Sequence, residues 1–238
     1  MQFLQKKLYA FKIMKIIEYP LKPKGWFPES SLKKAIVLHS SNSRTGLSPL
    51  GGKKESAKDV VDRWNVLLDK NVMPYLIDRD GTIIQTFPDD EYGYHLSLFG
   101  TQGKWDRQAI GIALVNEGGL ITENKNYYIN SYANHQNIYR GPVFEKEFRN
   151  FKYWADLDPL QVDALVNLIK HLAKKHFIEP QFFVENLVFD KRVWNKATIF
   201  THANCNANVS DLPLNDWVLK RLMKEFPMKS KVKDLEKV

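Results

Sequence analysis

A chain of 238 residues with 44% hydrophobic and 26% charged side chains can bury a full core and lies near the average of soluble globular domains, which excludes disordered, collagen-like and disulfide-scaffold classes. Cys205 is the only cysteine, so no intramolecular disulfide forms, and no apolar run approaches the roughly 20 residues that cross a bilayer. The net charge of +8 favours an anionic partner, whether nucleic acid, a membrane surface or an acidic polymer, without choosing among them.

The first fifteen residues are interrupted by Lys6, Lys7, Lys12 and Lys15 and hold no small-residue cleavage site, so no signal peptide is expected and synthesis is expected in the cytoplasm. Residues 1–30 read as a leader punctuated by Pro20, Pro23 and Pro28. A domain is expected over 31–228, followed by a basic tail, 229–238, with Lys229, Lys231 and Lys233. The first strand runs from about Lys34 to His39 and feeds a Ser/Asn/Gly-rich loop, Ser40 to Gly52. A helix with Ser56 near its start follows, and Val60, Val61, Trp64, Leu67 and Leu68 recur on one face.

Pro74 to Phe87 reads as two strands joined by a turn, because Asp80-Gly81 supplies positive-φ geometry. The continuous apolar run Ala109 to Val115, ended by Gly118-Gly119, is expected as a strand buried on both faces at the sheet's centre. From Ile121 to Trp154 the chain is rich in Tyr, Asn and Phe without a clear period. It reads as an insertion over about 121–158, either an adaptable binding surface or an irregular cover. Pro159 opens a helix with Val162, Leu165, Val166, Ile169 and Leu172 on one stripe and His171 and His176 towards its polar, solvent-facing side. A last strand ends at His202, and a final amphipathic helix carries Trp217, Leu219, Leu222 and Met223. This succession implies a single α/β domain with a central mixed β-sheet flanked by helices.

Two histidines close apolar strands, His39 in Ala35-Ile-Val-Leu-His39 and His202 in Thr198-Ile-Phe-Thr-His202, and Asp211 follows nearby. Two neutral imidazoles and a carboxylate suit a catalytic zinc with an open fourth position, and strand ends fix ligands rigidly. Metal-assisted hydrolysis is the chemistry expected of such a set. For each histidine taken singly the alternative is a hydrogen-bonded core residue. Cys205 offers a thiolate alternative for the third ligand, with a small buried hydrophobe as its other reading.

The segment Tyr75-Leu-Ile-Asp-Arg-Asp-Gly-Thr-Ile83, followed by Tyr94-His95, Ile110-Gly-Ile112 and Thr201-His202 through Ser210-Asp211, resembles the zinc-dependent N-acetylmuramoyl-L-alanine amidases of type 2, whose fold is shared with peptidoglycan-recognition proteins. The resemblance runs from about Ile36 to Trp217 and implies a mixed sheet flanked by helices. It also implies cleavage of the amide between N-acetylmuramic acid and L-alanine, with zinc on His39, His202 and Asp211. Related sequences place the third ligand eight or nine residues after the histidine, here Ser210 or Asp211, and only the aspartate is a good zinc ligand. Tyr94 and His95 fall where the family has an aromatic-histidine pair beside the substrate groove.

Three positions depart from the family. Many members carry glutamate in Ile-Gly-Ile-Glu where this chain has Ala113, and phage-type relatives that lack it use a tyrosine and a lysine where this chain has Met73 and Val209. Glu117 is the candidate substitute. An extended strand sets it roughly 13 Å from Ala113, and its other reading is an exposed loop residue. The alternative function is therefore a catalytically impaired peptidoglycan-binding pseudoenzyme. A nucleic-acid-binding role is disfavoured, because no recognition helix, zinc-finger cysteine set or aromatic RNA-binding signature is present. The resemblance implies peptidoglycan or soluble muropeptides as partners and action on the cell wall or on muropeptides; oligomeric state is left open.

Overall fold

β-Branched apolar runs and amphipathic stretches alternate along the chain, and the computed structural model turns them into strands and helices; it describes residues 14–22, 26–41, 55–67, 72–98, 101, 103–129, 138–185, 187–209 and 211–226. In chain order the elements are β1 (Ile16–Glu18), β2 (Ala35–Ser40), α1 (Ala57–Leu67), β3 (Tyr75–Ile77), β4 (Ile83–Gln85), α2 (Lys104–Gln108), β5 (Ala109–Leu114), β6 (Gly119–Glu123), β7 (Asn126–Ile129), β8 (Ile138–Tyr139), β9 (Val143–Phe148), β10 (Phe151–Ala155), α3 (Pro159–Lys175), α4 (Val193–Lys196), β11 (Ile199–Thr201), α5 (His202–Cys205) and α6 (Asp216–Glu225). Most of the loop after β2, the side chains of Leu67 and Leu68, Ser210 and the basic tail lie outside the described residues.

Six strands form a sheet in the order β1-β4-β3-β5-β2-β11. Strands β3, β5, β2 and β11 run parallel, β4 returns antiparallel to β3, and β1 joins parallel to β4. As its apolar run predicts, β5 is interior, and it pairs with β2 without a break from Ala35↔Ala109 to Ser40↔Leu114. The β3–β4 hairpin closes through Asp78, whose N–H donates to Thr82 O at 2.8 Å. Gly81 turns the chain there at φ 83°, where a Cβ would meet Leu160 O at 2.9 Å. Glycine is thus required twice over, for the backbone angle and for the approach of α3.

Alternation divides the side chains between two faces. Ile36, Leu38, Ile110, Ile112 and Leu114 pack against Val162, Leu165, Val166, Ile169 and Leu172 of α3 and against Val218 and Leu222 of α6. On the other face Leu76, Ala113 and Val115 meet Val60, Val61 and Trp64 of α1, while Val37, Ala109 and Phe200 pack with Leu96 and Val193. Helix α3 begins as its sequence predicts, with Pro159 in the first turn and the Asp158 carboxylate accepting Leu160 N–H at 2.9 Å. Ser56 and Asp59 exchange hydrogen bonds at the start of α1, a reciprocal cap. Among the described residues no helix is long and apolar enough to cross a membrane.

Two expectations change. The stretch read as an insertion, an adaptable surface or an irregular cover, forms a regular five-stranded antiparallel sheet, β8-β7-β6-β10-β9, with small clusters of its own. In one of these Phe148 and Trp154 cover Ala203 of α5. Its strands interleave exposed Lys and Glu with short sets of Tyr, Leu, Val and Phe that pack together, so neither a long apolar run nor a helical period marks them. The stretch read as a leader is tied into the first sheet by β1, by bonds from Tyr19 N to Gln85 O and Leu21 N to Thr86 O, and by the Phe27↔Tyr92 bridge.

Candidate metal centre

The face of β5 that looks towards α1 is made of small residues, Ala109, Gly111 and Ala113, and this leaves room for rings from neighbouring elements. His39, opposite Ala113 in the register, projects onto that face at the carboxyl end of β2. His202 is the first residue of α5, directly after β11. The Thr201–Asn204 capping box ends the strand there and starts the turn. Asp211 arrives from the segment before α6, and its Oδ1 accepts the Ser40 N–H at 2.6 Å. The second oxygen, Oδ2, is thereby aimed at both imidazoles, 3.2 Å from His39 Nδ1 and 3.1 Å from His202 Nδ1. All three residues are buried, and one ligand atom from each lies within 4.8 Å of the others.

The hydrogen-bond partners decide what these atoms offer. His202 Nε2 lies 2.8 Å from Leu96 O, an oxygen that only accepts, so Nε2 carries the hydrogen and the neutral ring presents a lone pair at Nδ1. That lone pair faces a carboxylate oxygen at 3.1 Å. Two electron-pair donors this close in a buried setting need a cation between them, a proton or a metal ion. The electrostatics agree. Burial pushes the His39 pKa down to about 4, against the opposing hydrogen bond to Asp211, so the ring is a neutral ligand at physiological pH. Burial alone would raise the Asp211 carboxyl, but its close contacts with His202 and His39 outweigh burial and hold the group well below the usual range. Two imidazole nitrogens and an ionised carboxylate oxygen fit a zinc ion.

The other singled-out residues fall in different places. His95 is buried rather than set on a groove: its Nδ1 lies 2.9 Å from His39 Nε2, and burial, with His39 and His202 adding to it, lowers its pKa well below the ordinary histidine value. Tyr94 points elsewhere, into a cluster with Phe27 and Tyr92. Glu117, whose alternative reading was an exposed loop residue, is instead buried at 4% exposure and paired with Arg79 Nη2 at 2.5 Å. The Cys205 thiol is buried in an apolar cluster with its Sγ 3.3 Å from His202 O, and burial pushes it up to about 12. It therefore takes the small-hydrophobe reading. Ala113 and Met73 lie in the apolar cluster under α1, and Val209 is half-buried. His171 is exposed, as expected of a helix's polar side. His176 is half-buried and sits 3.2 Å from the Asp89 carboxylate.

Sequence reasoning missed the His39–His95 contact and the Leu96 carbonyl on His202. A backbone carbonyl has no residue signature, and the contact depends on how the segment before α2 is folded back. The need for glycine in Ile110-Gly-Ile112 was equally hidden: a Cβ on Gly111 would lie 3.0 Å from His95 Nδ1 and 2.7 Å from Met73 Cγ.

A sequence model of the family described as N-acetylmuramoyl-L-alanine amidase matches residues 30–211, whereas no curated protein sequence matches the chain. Among solved structures, the N-acetylmuramoyl-L-alanine amidase LysC from Clostridium intestinale is similar at 16% identity over 90% of this chain and 99% of that one, with a TM-score of 0.48. The Staphylococcus aureus hydrolase AmiA, in complex with its ligand, is similar at 13% identity over 89% and 82% of the two chains, with a TM-score of 0.48. The Escherichia coli N-acetylmuramyl-L-alanine amidase AmiD, in complex with anhydro-N-acetylmuramic acid-L-Ala-D-gamma-Glu-L-Lys, is similar at 17% identity over 83% and 59%, with a TM-score of 0.47. With more than half of its residues matched by the family model, the chain belongs to the N-acetylmuramoyl-L-alanine amidase family of type 2, the peptidoglycan amide hydrolases.

Proposed function

We propose that the chain is a zinc-dependent hydrolase of the amide between N-acetylmuramic acid and L-alanine, acting on peptidoglycan or on muropeptides released from it. The observation that carries this reading is the convergence of His39 Nδ1, His202 Nδ1 and Asp211 Oδ2 in a buried site. In it, the Leu96 carbonyl leaves His202 a lone pair facing the carboxylate. His39, His202 and Asp211 would hold the ion. A zinc ion held by two imidazoles and one carboxylate supplies Lewis acidity for the scissile carbonyl and brings the pKa of water towards ~7.

The chain's own residues do the rest. Ser40 N–H restrains one oxygen of Asp211, so the carboxylate cannot swing away from the rings. Strand β5 offers no proton acceptor beside His39, because Ala113 stands there, wholly buried. We assign that part to Glu117, the carboxylate three residues beyond the end of β5, which Arg79 holds in place. Tyr94, half-buried at the surface beside the His95 segment, is assigned to the substrate side.

A second reading, a wall-binding protein with impaired turnover, is favoured by one observation: Ala113 packs against apolar neighbours including Met73 on the His39 face. One experiment separates the two. Zinc content and release of free peptide stems from purified peptidoglycan are measured together for the wild-type protein, His202→Ala and Asp211→Asn. The enzyme reading expects one zinc and release in the wild type and loss of both in each variant. Zinc with wall binding but no release favours the second reading, and full zinc in both variants rules out the ligand assignment.

A further inference from the structure

One dipeptide step touches both imidazoles from the side away from Asp211. His95 Nδ1 lies 2.9 Å from His39 Nε2, and the next residue's carbonyl, Leu96 O, lies 2.8 Å from His202 Nε2. The two amides of the step are held by a single side chain. Asp106 Oδ1, inside the short helix α2, accepts the His95 N–H at 2.8 Å and the Leu96 N–H at 2.9 Å.

Three further features support this arrangement. Asp106 is 3% exposed and makes no ion pair among the described residues, so a carboxylate is kept in the interior for backbone donors alone, a costly placement unless those donors must be fixed. Ser97, directly after the step, has φ 50°, a left-handed angle that a non-glycine residue adopts only where its surroundings impose it. Asn206, just past α5, donates its Nδ2 to Leu96 O at 3.0 Å and to Ser97 O at 3.3 Å. The step is thus gripped from both sides, by its amides and by its carbonyls.

We propose that Asp106 is a positioning residue of the metal centre. By holding the amides of His95 and Leu96 it fixes the two groups that orient His39 and His202, so that both Nδ1 atoms face Asp211 Oδ2. One carboxylate, touching neither ligand, sets the aim of both rings. The inference rests on the zinc reading above and adds to it the device that keeps the histidines in register.

The test is the zinc dissociation constant, measured by competition with a chromophoric chelator on folded protein, for the wild type, Asp106→Ala, Asp106→Asn and His95→Phe. Partners that orient metal-bound histidines contribute about 10- to 100-fold in metal affinity. Asp106→Ala is expected to bind zinc that much more weakly, whereas Asp106→Asn, whose amide oxygen still accepts both N–H groups, stays within about three-fold of the wild type. That rescue separates aiming from general stability, since far-UV circular dichroism checks folding of each variant. His95→Phe removes only the contact to His39 and keeps the ring volume. It supplies the decision should Asp106→Ala fail to fold: weaker binding by about ten-fold supports the proposal and unchanged binding overturns it. Wild-type affinity in folded Asp106→Ala overturns the positioning role alone. A wild-type protein that takes up no zinc overturns the metal reading and this inference with it.

Discussion

The imidazole of His39 is packed against Asp211, His95 and His202, and this makes acid the sensitive direction for the metal-free protein. Its pKa lies at about 4 when folded against 6.5 for an ordinary histidine. Between these values the unfolded chain takes up a proton that the folded one refuses. The stability contribution is therefore complete above about pH 6.5 and is lost as the pH falls to about 4, a change on the order of 3 kcal/mol. Asp211, held low, acts in the same sense at more acid pH. Urea-unfolding midpoints taken in a chelator at pH 7, 5.5 and 4 should fall steadily; a flat profile would contradict the buried neutral ring. Glu117 is the second test at this scale. Replacing it by Gln is expected to lower turnover by about 100-fold or more while leaving zinc content unchanged, and unaltered turnover would leave Glu117 only its ion pair with Arg79.

Among the elements, β5 is where packing and chemistry meet most closely. Its α3 face carries Ile110, Ile112 and Leu114 for the core, while its other face is reduced to Ala109, Gly111 and Ala113 so that His39 and His95 fit above it. Gly111→Ala is expected to destabilise by about 1–3 kcal/mol, as overpacking of a filled core does, and to weaken zinc binding because the new methyl displaces His95 rather than only the flexible Met73. Unfolding in urea and chelator competition on one preparation check both; unchanged zinc affinity would show that Met73 alone gives way. The elements themselves were unequally legible. The continuous run of β5 and the stripe of α3 have periods that single out one structure, whereas β6 to β10 are short, half-wet strands whose apolar residues support each other only after pairing. The Asp80-Gly81 turn was legible because a left-handed angle demands a particular residue type.

For the whole molecule, the segment before residue 31 matters more than its proline-punctuated sequence implies. β1 covers the edge of β4, and Trp26 Nε1 donates to Glu91 Oε2 at 2.6 Å. Deleting residues 1–30 should lower the melting temperature and promote self-association, since β4 then becomes an open edge; light scattering and thermal unfolding of the shortened chain would detect this, and an unchanged melting temperature would return the segment to a dispensable leader.

Read alone, the sequence determined the mixed α/β class, the interior place of β5, the start of α3 and the identity of His39, His202 and Asp211 as a potential ligand set. Each of these depends on residue type and local period, which a linear chain displays directly. Only the tertiary structure decided that His95 is turned onto His39, that the Leu96 carbonyl selects the tautomer of His202, that Asp106 holds both from behind, and that the Tyr-rich stretch forms a second sheet supporting α5. Those features arise from backbone groups and from side chains distant in sequence, and a carbonyl's or a carboxylate's partner is settled by where the chain passes rather than by which residue stands there.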